Sequence, residues 1–238
     1  MDSSWLEEAA EKALASTDVL VGEDGPWQAN ACVQWLLDQN VQAEGYRAAA
    51  ERLAAGAPGW HEQDSLLYPI VYLYRHYVEL RLKGLMALDQ RLAGEPLVVP
   101  ETHDLVNLWA SVKPALLREA EAGDRERKRE IRQIERVIKE LAALDPRGTA
   151  FRYRTDAHGG RPLPDGASRL NLHQFASTMA KLGRALDDIS NWFDVLLEHE
   201  REIASEYGPD RGRPRAPTGS RRAGSASRWP RSRCRRCR

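Results

Sequence analysis

Between Leu66 and Leu92 the chain carries a pattern that only a helix covered on several sides explains. Placed at 100° per residue with Arg75 at zero, Arg75, Glu79, Tyr72, Lys83 and His76 fall in one sector roughly 100° wide. Leu80, Leu73, Gly84, Tyr77, Tyr74, Leu85, Val78, Val71 and Leu82 fill nearly all the rest. A surface helix carries an apolar stripe of about 100° or a little more, and this arc is about twice that. The segment is therefore predicted to be central, with one narrow polar seam. Arg81 points into the apolar arc. A guanidinium there needs a carboxylate or carbonyl partner, because burying an unpaired charge is too costly. Pro69 is placed in the first turn, with Asp64 or Ser65 as the cap.

The remaining segments also read as helices. Ser3 to Ala15 and Trp27 to Ala55 are helical runs, the second open to interruption at Gly45. After a Gly/Pro loop, Thr102 is a plausible cap for a helix through Leu105, Leu108, Trp109, Val112, Leu116 and Leu117, with Pro114 inside it. A charged run, Asp124 to Glu130, leads into the stripe Ile131, Ile134, Val137, Ile138, Leu141 and Leu144. Asn171 and Gln174 form a capping pair for a last helix reaching about Ser205. Val and Ile are sparse and no stretch alternates with period two, so the fold class is all-α.

Asp145 to Arg169 has no helical pattern, and its Gly and Pro residues mark a long irregular segment. Such segments often carry function. Phe151-Arg152-Tyr153-Arg154-Thr155-Asp156 is dense in groups able to hold an anion or to tie the segment to the helices.

The net charge of zero conceals two parts. Residues 211–238 hold eleven Arg and no acid, while residues 1–210 hold 24 basic and 35 acidic side chains, a net of −11. An acidic body repels nucleic acid unless a local basic site attracts it. The tail cannot bury enough apolar surface to fold. It is a basic arm, a disordered tail or an off-frame translation of GC-rich DNA. Its Cys234 and Cys237 lack a second pair of zinc ligands. No apolar run reaches the ~18 residues of a membrane span. The three cysteines form no disulfide framework, so a cytoplasmic location is expected. The domain reading is a helical extension over 1–60, a helical bundle over 61–207 and a disordered Arg-rich tail over 208–238.

Tyr77-Val78-Glu79-Leu80-Arg81-Leu82-Lys83-Gly84-Leu85, followed about twenty residues later by Thr102-His103-Asp104-Leu105, resembles the HEPN superfamily of small helical domains. In that family a helix with Glu and Lys four residues apart precedes a Thr-His-Asp-Leu-type helix start. Arg152-Tyr153 is similar to the family's Arg-Tyr-Pro step, with Arg154 in place of Pro. The resemblance covers roughly Asp64 to Glu198. It implies a HEPN-like bundle of four to five core helices, often dimeric, that interacts with RNA or nucleotide. It also implies a bacterial toxin–antitoxin or phage-defence setting, with an antitoxin or nucleotidyltransferase as protein partner.

Many members are metal-free ribonucleases whose signature is Arg, four to six residues, then His. Imidazole can take a 2′-OH proton and Arg can stabilise charge developing on phosphate. One pair here, Arg152 and His158, meets that spacing. With 29 Arg and six His, about two such pairs arise by chance. A non-catalytic member that binds or dimerises is the better match, and no other enzyme template, cofactor motif or metal motif stands out. The candidate binding residues are Arg75, Glu79, Lys83, His103, Arg152 and Asp156. In this reading Arg152 and Lys83 hold phosphate, and His103 orients or exchanges a proton with Glu79. The competing readings are a salt-bridge ladder at Arg75, Glu79 and Lys83, and an interaction module whose polar faces meet a partner or a second copy.

Overall fold

The computed structural model describes residues 39–56, 59–120, 124–153 and 169–207. Among them are five helices and no strand: α1 Gln39–Ala55, α2 Trp60–Leu92, α3 Leu105–Glu119, α4 Arg125–Leu144 and α5 Leu172–Tyr207. The all-α class holds over these residues. The Ser3–Ala15 run, the start of the Trp27–Ala55 run and the Arg-rich tail lie outside them. The chain divides at Glu200 into two units. Of the second only 201–207, the end of α5, is described, and 201–206 are exposed.

At 33 residues, α2 is about 50 Å long. No residue from Ile70 to Gln90 is exposed, as the width of the apolar arc required. Helices α1 and α3 pack on α2, and α4 packs on α3. From α5, Met179, Leu182, Leu186, Ile189 and Phe193 enter the same core as Tyr74, Tyr77, Val78, Leu82 and Leu85 of α2. Helix α4 contributes Ile131, Ile134, Ile138 and Leu141, one face of a 3.6-residue repeat. Part of the segment read as an extension thus packs directly on α2: Ala43 and Ala50 of α1 are fully buried. Gly45 does not interrupt α1, since it faces open space. Gly84 is a contact point, because a Cβ there would lie 3.2 Å from Asn40 Oδ1.

Several boundaries differ from the sequence expectation. Helix α2 starts at Trp60, with Gly59 as the cap and Glu62 accepting from its N–H at 3.3 Å. Pro69 is therefore in the third turn, where the packing of α2 outweighs the lost hydrogen bond. Asp104, not Thr102, caps α3: its Oδ1 accepts from the N–H groups of Val106 and Asn107 at 2.8 and 3.1 Å. The charged run after Asp124 is already helical, because Asp124 accepts from the Arg127 N–H and caps α4. Asn171 does accept from the Gln174 N–H, at 2.9 Å. No helix among the described residues is long and apolar enough to cross a membrane.

The guanidinium of Arg81 finds the carboxylate its position demanded. It donates to Asp187 Oδ1 on α5 at 2.5 Å and to Asn40 Oδ1 on α1 at 2.8 Å. Arg47 of α1 lies 3.4 Å from the other Asp187 oxygen, and the Tyr77 hydroxyl donates to the Gly183 carbonyl at 3.2 Å. Three helices are thereby tied together at one polar point in the core.

Candidate functional site

The polar seam of α2 is a buried charge network, not a solvated ladder. Arg75 and Glu79 are each 3% exposed. Glu79 accepts from Arg75 Nη1 at 3.2 Å, from Lys83 Nζ at 2.9 Å, and pairs with His103 Nδ1 at 2.8 Å. Burial alone would raise the Glu79 pKa. Hydrogen bonds from Lys83 and His103, and their charges, outweigh burial and hold it below the ordinary carboxylate value. Glu79 is therefore ionised at neutral pH and has no proton to give. The hydrogen on the Glu79–His103 bond belongs to Nδ1, which leaves His103 Nε2 as the acceptor when the ring is neutral.

Arg75 makes three hydrogen bonds. Beyond Glu79, its Nε donates to the Asp145 carbonyl at 3.1 Å and its Nη2 to the His103 carbonyl at 2.8 Å. One side chain thus clamps to α2 both the turn before α3 and the turn after α4. Lys83 pairs with Glu79, its side chain only 11% exposed. These two cations are the floor of the site. A phosphate held by Lys83, the role read for it from the sequence, would share that ammonium with Glu79. The His103 side chain, by contrast, is 66% exposed.

The turn after α4 is built from its own sequence. Asp145-Pro146-Arg147-Gly148 has Asp, Pro and Gly where a tight turn favours them, and the Gly148 N–H reaches the Asp145 carbonyl at 3.4 Å. Asp145 is 1% exposed, and its Oδ1 accepts from the N–H groups of Thr149 and Ala150. Gly148 has φ +71, and a Cβ there would lie 2.8 Å from Arg75 Nη1. Only glycine meets both demands. Ala150 and Phe151 then bury against Val71, and Phe151 meets the Tyr68 ring at 5.8 Å. These anchors set Arg152 at the surface. Its Nε donates to the Gly148 carbonyl at 2.8 Å, and its guanidinium lies 5.5 Å from the ring centres of both Tyr72 and Tyr153.

Of the six residues named from the sequence, Arg75, Glu79, Lys83 and His103 form one bonded group. Arg152 is linked to it only by way of the turn: it donates to the Gly148 carbonyl, and a Cβ on Gly148 would lie 2.8 Å from Arg75 Nη1. Asp156 and His158 lie outside the described residues, so the Arg152/His158 pair has no geometry to report. Sequence reasoning placed Tyr72 and His76 in the seam without giving them a role. Their rings stack at 5.9 Å, and Tyr46 meets His76 edge-on at 4.4 Å. Burial first of all lowers the His76 pKa; Glu79 opposes this, and Lys83, Arg152 and Arg75 reinforce it. Asp145 was missed as a site residue, although its Asp-Pro-x-Gly turn was a readable signal. Among the described residues no group of three or more His, Cys, Asp or Glu could hold a metal ion.

Compared with family models, with curated proteins and with solved structures, the chain matches none.

Proposed function

We propose that this chain is a HEPN-like helical domain that binds RNA or a nucleotide at the surface carrying His103 and Arg152, with no catalytic role assigned to those residues. The observation that carries the reading is the 2.8 Å pairing of exposed His103 with buried Glu79. It brings together, on one seam, the Glu–Lys helix and the Thr-His-Asp turn on which the resemblance rests. The chemistry of the surface suits the ligand. An oriented imidazole, a guanidinium and the neighbouring Tyr72 and Tyr153 rings offer contacts for phosphate and for an unstacked base. The toxin–antitoxin or phage-defence setting belongs to the same proposal.

Fluorescence anisotropy with a labelled oligoribonucleotide, with mononucleotides as competitors, tests it. His103→Ala and Arg152→Ala should each weaken binding roughly tenfold, since a hydrogen bond to a charged group is worth about 1.5–3 kcal/mol. Arg136→Ala, on the exposed face of α4, should bind as the unaltered chain does. Binding that ignores both site substitutions, or no binding at low salt, would reject the proposal.

A further inference from the structure

A second feature, independent of the seam, lies on the outer face of α4. The body of the chain is acidic, but α4 is not: it holds seven basic and four acidic side chains, where α5 holds three basic and seven acidic. Its apolar stripe, Ile131, Ile134, Ile138 and Leu141, is buried. At 100° per residue Arg125, Arg129 and Arg132 fall within roughly 60° of one another on the opposite side, and all three are exposed. The acids of α4 are drawn to other cations. Glu130 pairs with Arg127, Glu135 with Lys113 and Lys139, and Glu140 with Arg136. The side chains of Arg125, Arg129 and Arg132 have no ion pair or hydrogen bond among the described residues.

This row works against the helix that carries it. Residues three and four apart are neighbours on a helix surface, and like charges there are destabilising. Arg125 and Arg129, Arg129 and Arg132, and Arg132 and Arg136 are such pairs. Arg125 is also the first residue of α4, where the helix dipole disfavours a cation. Charges that oppose the local fold and meet no partner within it are expected where a surface serves a ligand. An anion from outside, carrying several charges in a line, would relieve these repulsions together.

We propose that Arg125, Arg129 and Arg132 form a second contact surface, which holds the phosphate backbone of polymeric RNA several phosphates at a time. The choice of RNA rests on the reading of the seam given above, since charge alone would suit any polyanion. All three groups are guanidiniums, whose planar forks match phosphate oxygens better than an ammonium does. From Arg125 to Arg132 the row is roughly 10 Å long, the axial rise of about three phosphates on one strand. Helix α4 carries no aromatic side chain, so the row takes phosphates without reading bases. A lipid surface is less well matched. An interfacial helix inserts its apolar stripe into the bilayer, and that of α4 is used in the core.

Fluorescence anisotropy on the full chain over a salt series tests this, with a labelled trinucleotide and a labelled RNA of roughly twenty nucleotides, longer than most single-strand sites. Arg125→Gln, Arg129→Gln and Arg132→Gln are combined in one variant, because Gln keeps the helix propensity of Arg. Binding of the long RNA should weaken roughly tenfold or more at ~0.1 M salt, and the slope of log K against log salt should shrink by about 2, from about 0.7 per phosphate contact. Trinucleotide binding should stay within about twofold. Thermal unfolding should occur at the same or a higher temperature, because like-charge repulsion is lost. Arg136→Ala, whose guanidinium is taken up by Glu140, should leave both RNAs bound as before. A triple variant with unchanged affinity and slope for the long RNA, while His103→Ala still weakens the trinucleotide, would overturn the row and keep the seam. No binding of either RNA by the unaltered chain would overturn the seam reading and the row with it. Phosphatidylserine vesicles bound through the row, with long RNA indifferent to it, would assign it to a lipid surface and overturn the proposal.

Discussion

Two polar networks sit on the same helix, and they differ in where they end. Around Arg81, the partners Asn40 and Asp187 come from α1 and α5, so the network closes between helices. Around Glu79, the buried floor of Arg75 and Lys83 meets two turns and ends at exposed His103 and Arg152. Both satisfy the same requirement, that a buried cation have an anion and acceptors. The first spends its groups on helix packing. The second leaves an imidazole and a guanidinium facing solvent, each oriented from below. That difference is the reason to place binding at the seam and a structural role at Arg81.

The largest stability effect should fall on the seam. Glu79→Ala removes the carboxylate paired with buried Lys83 and one of the two paired with Arg75, which keeps Asp145 at 3.4 Å, and should cost about 3–5 kcal/mol in urea unfolding. Asp187→Ala should cost less, about 1–3 kcal/mol, because Arg81 keeps Asn40 and Asp187 is itself partly exposed. Equal costs would erase the contrast between the networks. Gly148→Ala comes next at about 1–3 kcal/mol, since a positive φ and a Cβ against the Arg75 guanidinium both oppose it. Its informative readout is binding, because it moves the clamp that sets His103 and Arg152 while leaving both in the chain.

Acid should act on the seam with a definite sign. The lowered pKa of His76 means that the unfolded chain takes this proton first. Stability is then fullest above the ordinary value of 6.5 and falls as pH drops through the folded value. Glu79 has the same sign, with its loss starting below about 4.5. His76→Phe keeps a ring between Tyr72 and Tyr46, and it should flatten the fall just below pH 6.5 while leaving the one below 4.5. Thermal unfolding across this range measures both. His103→Ala should change stability least, by about 1 kcal/mol or less, because that side chain is mostly exposed.

Much of this was legible in the residues. The double-width apolar arc required a covered α2, the misplaced Arg81 required an acid, and Arg75, Glu79 and Lys83 shared a sector by arithmetic. Periodicity could not tell a solvated ladder from a buried one, because that depends on which turns cross the seam. The crossing turns are made by main-chain groups, the carbonyls of His103 and Asp145, which carry no side-chain signal. Helix starts were misread for a related reason. Thr102 and Asp104 are both good caps, and the choice between them depends on how the turn docks. In the irregular segment, the tie to the helices is made by Phe151, buried against Val71, and the pattern of 151–156 could not show which of its residues would bury.

The proposed site depends most on Glu79 holding His103 through Nδ1. The ¹⁵N shifts of the His103 ring, recorded where the ring is neutral, report which nitrogen carries the hydrogen. The geometry predicts the Nδ1–H form in the unaltered chain and its loss in Glu79→Ala. A ring in the Nε2–H form, unchanged by that substitution, would contradict it.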